Sequence, residues 1–189
     1  MQTLKRDFYS RPTDLVAREL LGKILVRRFD DVLLGGVIVE TEAYFGGDDP
    51  ASRAFHGKKT YNRVMFEESG QLFIYNVHKY WMLNIIAHSD GVGGILIRAI
   101  EPTMGIETMR KNRPVKQLRD LTSGPGKLSL ALDVDKNLNG LDVTTDANPV
   151  YALDNDISFE ISTSHRIGVT RDLPEQYRYY VKDNRYVSR

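Results

Sequence analysis

Cysteine is absent from the 189-residue chain. That excludes disulfides, iron–sulfur clusters and thiolate zinc sites, and it fits a reducing compartment. Long apolar runs are missing too. The longest nearly apolar stretches, Trp81 to Ala87 and Val92 to Ile97, fall far short of the roughly 20 residues of a membrane-crossing helix. Met1 to Ser10 is charged and has no apolar segment, so no signal peptide is expected. Surplus charge is scarce as well: the net charge is +1, which does not advertise a nucleic-acid binder. The histidines His56, His78, His88 and His165 include no pair at the helical spacing of a zinc protease. Asp48-Asp49 reads as an acidic solvated loop, so no metal is expected. Gly91-Val92-Gly93-Gly94 is too short for a dinucleotide fingerprint. There is no Walker loop and no Gly-x-Ser-x-Gly elbow. No cofactor is expected.

What is present reads as one α+β domain over residues 1–189, with an antiparallel or mixed sheet. Helices are expected over residues 11–22, 105–112 and 127–132, with a helical turn at 117–121. Strands are expected at 24–28 and 32–42, joined near Asp30-Asp31, then at 71–77, 81–88 and 95–100. Late strands are expected at 150–153, 157–161, 166–169 and 177–182. Charge is segregated along the chain. Residues 110–127 hold six basic side chains against Asp120, and residues 129–160 hold seven acids against Lys136. One basic and one acidic face would follow, although two solvated loops explain the pattern about as well.

The stretch Val37 to Gly46 organises the rest. Side chains alternate along a strand, so Glu40, Glu42 and Tyr44 share one face, and Val39, Thr41 and Ala43 the other. The pattern fits either a charged edge strand or carboxylates mounted on a rigid support. Two polar residues interrupt runs that should be buried: Asn84 within Trp81 to Ile86, and Arg98 within Ile95 to Ile100. Burying an amide or a guanidinium is costly unless it is paired. Asn84 could cap a bulge, and Arg98 could pair with Glu40. With the aromatics Phe73, Tyr75, Tyr80 and Trp81 nearby, the set suits a flat, hydrogen-bonding ligand such as a nucleobase.

Taken in order, several motifs resemble the alkyladenine (3-methyladenine, or methylpurine) DNA glycosylase family. They are Glu40-Thr41-Glu42-Ala43-Tyr44, Met65-Phe66, Gly70 with Tyr75, Asn84, Arg98-Ala99-Ile100-Glu101-Pro102, Glu107-Thr108-Met109-Arg110, Ser123-Gly124-Pro125-Gly126-Lys127-Leu128 and Arg166-Ile167-Gly168-Val169. The resemblance implies a single mixed domain on a curved, mainly antiparallel sheet flanked by helices. It implies a cytoplasmic enzyme, nucleoid-associated in a prokaryote and monomeric, that needs no metal or cofactor. The partner implied is double-stranded DNA with alkylated or deaminated purines. 3-Methyladenine, 7-methylguanine, hypoxanthine or ethenoadenine would be flipped out and hydrolysed from the sugar.

By the same resemblance, Glu42 is the base that activates water and Arg98 helps hold that water. Tyr44 and Tyr75 stack on the flipped base, and Asn84 crowds the exocyclic amino group of normal guanine. Arg110 and Lys127 contact phosphates. Arg53 stands where the family usually carries histidine, and would repel a cationic base more. His78, with Tyr80 second, would fill the gap left by the flipped nucleotide. Two readings outside this class are a non-catalytic nucleic-acid-binding module and a small-nucleoside hydrolase using Glu40 or Asp48 as partner carboxylate.

Overall fold

A computed structural model describes residues 1–189. Eight antiparallel strands form one curled sheet, with four short α-helices around it. The strands are β1 (Ile24–Phe29), β2 (Val32–Tyr44), β3 (Leu72–Val77), β4 (Tyr80–Ile86), β5 (Gly94–Met104), β6 (Val150–Leu153), β7 (Ile161–Ser164) and β8 (Arg178–Val181). Their order is β3-β4-β5-β2-β1-β6, and β8 joins β2 and carries β7. The helices are α1 (Arg6–Tyr9), α2 (Thr13–Glu19), α3 (Ile106–Asn112) and α4 (Pro125–Ala131).

Strand β2 is the spine. It pairs with β1 along its first half, with β8 at Glu40 to Glu42, and with β5 along most of its length. The edge-strand reading of Val37 to Gly46 therefore fails. A central strand carries no unpaired ladder, so the charges at 40 and 42 have no edge to protect. Alternation holds as expected. Val39 and Ala43 enter the main core, and the Thr41 hydroxyl donates to the Ala17 carbonyl of α2 at 2.7 Å. Val16 and Leu20 join the same core, together with Ile38, Ile85, Ile95 and Ile97 of the sheet. Fully burying each such side chain stabilises the fold by about 1.5–3 kcal/mol.

Most expected elements stand within a few residues. Strand β5 runs on through Pro102, which sits beside a register shift at Gly35/Gly36 where a missing N–H is tolerated. The turn at 117–121 is a 3₁₀ turn, Leu118–Asp120. Two expected strands are corrected. Residues 157–160 lie outside the sheet, and the strand begins at Ile161, paired with Val181; Ile157 is half exposed. Residues 166–169 form a bend rather than a strand, because the Ile167 N–H is spent on a carboxylate. Helix α1 had no clear signal in the sequence.

Candidate active site

Both carboxylates of β2 are fully buried. Glu40 takes four donors. Arg98 Nε at 2.8 Å, Arg178 Nε at 2.7 Å and Ser188 Oγ at 2.8 Å reach Oε1, and Ser188 N reaches Oε2 at 2.7 Å. Register shifts on both sides of Glu40 mark a bulge that re-aims the strand there. Glu42 takes three donors. Ile167 N reaches Oε1 at 2.7 Å, while Tyr44 Oη at 2.8 Å and Arg98 Nη1 at 3.2 Å reach Oε2. A carboxylate offers about four lone-pair positions. Glu40 thus carries four donors, three of them crowded on Oε1, whereas Glu42 carries three and keeps a position open on Oε1, the oxygen met only by the Ile167 N–H.

Arg98 joins the two acids. Burial alone would lower its proton affinity, but the charges of Glu42 and Glu40 outweigh that and hold the guanidinium above its ordinary range. Burial, then the charge of Glu42, pushes the Tyr44 hydroxyl well above the ordinary tyrosine range. Tyr44 is therefore a fixed donor to Glu42.

A second buried arginine closes the site from the other side. Arg166 forks onto Asp49, with Nη1 to Oδ2 and Nη2 to Oδ1 both at 2.7 Å, and its Nε donates to Asp172 Oδ1 at 2.8 Å. Its Nη1 also donates to the Ala43 carbonyl, and its guanidinium lies 4.6 Å from the Tyr44 ring centre. This clasp fixes the bend whose Ile167 N–H meets Glu42. Burial opposes it, but the hydrogen bonds and charges of Asp49 and Asp172 raise Arg166. Asp172, despite its own burial, is in turn held below the usual carboxylate range by Arg166.

Above these groups lies a cleft of about 730 Å³. Tyr44, Arg53, Tyr75, His78, Tyr80, Arg98 and Lys127 line it, so seven of the ten residues singled out from the sequence meet there. Glu42 lies just beneath, and each of its three donors comes from a lining residue. Asn84 lines a small inner cavity with Tyr44, Arg53 and Tyr75. Its amide donates to the Phe73 carbonyl at 3.0 Å and the Met82 carbonyl at 3.2 Å, and its Oδ1 takes no protein donor. Arg110 is not brought to the cleft. It lies on α3 in a loose pair with Glu107 at 3.7 Å. No three metal-ligating side chains cluster to hold an ion.

Arg53 is exposed, and its guanidinium lies 4.8 Å from the Tyr75 ring centre. His78 stands at the tip of the β3–β4 hairpin with φ 55°, a left-handed conformation that non-glycine residues rarely adopt. Tyr80 is held against Gly126 of α4. A Cβ at residue 126 would come within 2.9 Å of its ring, so only glycine permits this packing.

The model of the methylpurine-DNA glycosylase family matches residues 7–185. The chain belongs to that family. A Clostridium perfringens (strain 13) protein named "Putative 3-methyladenine DNA glycosylase" is 42% identical over 206 residues, covering 98% of each chain. Relatives of the same name from Mesorhizobium japonicum and Aeropyrum pernix are 44% identical over 178 residues and 38% identical over 190. They cover 93% and 98% of this chain and 85% and 93% of their own lengths. The chain is a DNA glycosylase, a hydrolase of N-glycosyl bonds in base excision repair. No helix of the glycosylase is long and apolar enough to cross a membrane.

Sequence reasoning missed the supports of this site. Asp172, Arg178 and Ser188 went unassigned, Asp49 was expected in a solvated loop but is fully buried against Arg166, and Arg166-Ile167 was noticed as a motif but read as a strand. Spacing gives no signal for Asp49, Arg178 and Ser188, which act across 100 or more residues of chain, or for Ile167, which acts through its backbone N–H; Asp172 is only six residues from Arg166, in an irregular loop with no periodicity to read.

Proposed function

We propose that the glycosylase removes damaged purines from duplex DNA, with Glu42 as the general base, and that residues 1–189 do so as one domain and one monomer in the cytoplasm. The observation that carries this is the open acceptor position on a buried carboxylate whose three donors all come from cleft-lining residues. A water donating to that position gives its proton to Glu42 while its oxygen attacks the sugar C1′. The C–N bond breaks, and its electron pair leaves with the purine. A positioned base contributes about 10²–10⁴-fold. Arg98 holds Glu42 by charge, and Tyr44 shares its hydroxyl with it.

Tyr44 and Tyr75 would stack on the extruded base, worth roughly 1–3 kcal/mol per base. The substrates proposed are 3-methyladenine, 7-methylguanine, hypoxanthine and ethenoadenine, with Asn84 crowding the exocyclic amino group of normal guanine. His78 would fill the vacated stack. Its place on the hairpin tip favours it over Tyr80, which is packed against α4. Lys127, and Arg110 farther off, would meet phosphates. The small-nucleoside hydrolase reading needs a second working carboxylate. The four protein donors tying up Glu40 and the exposure of Asp48 speak against it.

The test is a duplex carrying a single hypoxanthine, incubated with the enzyme and then with hot alkali. Strand scission that depends on alkali supports hydrolysis to an abasic site. Scission without alkali contradicts a purely hydrolytic enzyme. No scission here or on 3-methyladenine DNA would favour the binding-module reading.

A further inference from the structure

Beside the cleft lies a second, smaller hollow of about 110 Å³. Arg119, Lys127, Arg185 and Arg189 converge on it with Ser123, and Asp120 is its single acid. Elsewhere the buried cations are matched. Arg98, Arg166 and Arg178 each meet a carboxylate within 3.2 Å, as do exposed ones such as Arg11 and Lys182. The hollow is different. Its one ion pair is Arg119 with Asp120, stretched to 4.0 Å between half-exposed groups. Lys127 donates to Ser123 Oγ at 3.4 Å and Arg185 to the Tyr186 hydroxyl at 3.3 Å. Neither reaches a carboxylate. Four cations brought together with so little counter-charge repel one another unless an anion joins them. The volume suits one tetrahedral oxyanion, being about that of three or four waters.

The hollow is also built to a fixed place. Arg113 Nη1 holds the Asp120 carbonyl at 2.8 Å and so steadies the turn that carries Arg119. On the opposite wall, Ser188 lies between Arg185 and Arg189 in the chain. Its N–H and hydroxyl both donate to Glu40, at 2.7 and 2.8 Å. Asn184 braces the same segment through Glu101 at 3.0 Å and the Tyr186 N–H at 2.9 Å. Glu40 of the active site thereby anchors the cationic hollow. Ser123, Lys127 and Arg189 line both spaces.

From this we infer that the hollow is a phosphate site, and that it takes one backbone phosphodiester of the DNA strand whose nucleotide enters the cleft. The assignment to DNA rests on the function proposed above; the affinity for a phosphate group rests on the hollow alone. Its contribution is to the affinity for the duplex, not to the geometry at Glu42. A contact to phosphate positions the duplex without reading its sequence.

The test uses Arg119→Gln, Arg185→Gln and the double variant, all surface changes, with thermal melts to check folding. Duplex affinity is measured against salt, and inorganic phosphate is titrated into the wild type while the arginine Nε–Hε resonances are followed. One shared phosphate predicts that the double variant lowers the salt slope by about one in total and that neither single variant lowers it by more. Duplex affinity of the double variant falls about tenfold near 0.1 M salt, equally for damaged and intact DNA. Base release from saturating duplex stays at the wild-type rate. Phosphate shifts Arg119 and Arg185 together, and intact duplex displaces it. Unchanged affinity and slope in the double variant would reduce the hollow to a solvated basic patch. Losses of one and then two in the slope would mean two separate contacts. Phosphate that stays bound under saturating duplex would make this a free-phosphate site. Phosphate binding in a wild type that binds no duplex would overturn the DNA assignment while leaving the anion site standing.

Discussion

Glu40 and Glu42 stand two residues apart on one face of one strand, equally buried and bridged by the same Arg98. They differ in what remains to them. Glu40 takes four protein donors, from Arg98, Arg178 and Ser188, and ties the C-terminal segment to the sheet. Glu42 keeps one position open, beneath the cleft. Burial and charge do not separate a structural carboxylate from a reactive one here; the count of donors does.

Changing the member with four donors is expected to give the largest effect. Glu40→Gln leaves Arg98 and Arg178 short of counter-charge in a dry place. Stability should fall by about 3–5 kcal/mol in urea unfolding, as for other broken buried pairs. A Glu40→Gln protein as stable as the wild type would break the contrast. Next comes the clasp that aims the Ile167 N–H. Asp172→Asn should cost about 1–3 kcal/mol at pH 7. Asp172 is lowered in the folded state, so its contribution is complete above the ordinary carboxylate pKa of about 4 and is lost as pH falls through the lower native value. The gap between variant and wild type should therefore close in acid. A gap independent of pH would mean that Asp172 acts by packing rather than charge.

Arg53 sharpens the comparison from the rim, where no carboxylate holds it. Its cation faces the stacking wall at 4.8 Å from the Tyr75 ring centre. Arg53→Gln should raise release of cationic 7-methylguanine relative to neutral hypoxanthine about tenfold, within the range for a partly screened like charge. An unchanged ratio would remove charge from the account of specificity. The smallest effect is expected at the hairpin tip. His78→Gly relieves the left-handed backbone at φ 55° and should stabilise the fold by up to about 1 kcal/mol. Base release should slow nonetheless, because the side chain that fills the stack is gone.

Much of this was legible in the chain. Period-two alternation placed Glu40, Glu42 and Tyr44 together, and the polar breaks at Asn84 and Arg98 pointed to a polar floor, including the Arg98–Glu40 pair. The β2–β5 core followed from apolar runs punctuated by glycine. The rest was hidden for physical reasons. The third donor to Glu42 is a backbone N–H, which any residue carries, so Ile167 left no signature. The same spent N–H makes 166–169 a bend where the residue pattern suggested a strand. Asp49 and Ser188 act only once distant segments meet, and Asp172, six residues from Arg166, lies like them in what reads as ordinary polar loop. Arg110 shows the converse: a recognisable motif whose side chain the fold leaves away from the cleft.

The most direct measurement is single-turnover base release from saturating hypoxanthine duplex by Glu42→Gln and Glu40→Gln side by side, each at a temperature where it is folded. The account predicts a loss of about 10²–10⁴-fold for Glu42→Gln with duplex binding retained, and a much smaller loss for Glu40→Gln once its lower stability is allowed for. Release by Glu42→Gln at the wild-type rate, or an equal loss in both variants, would contradict it.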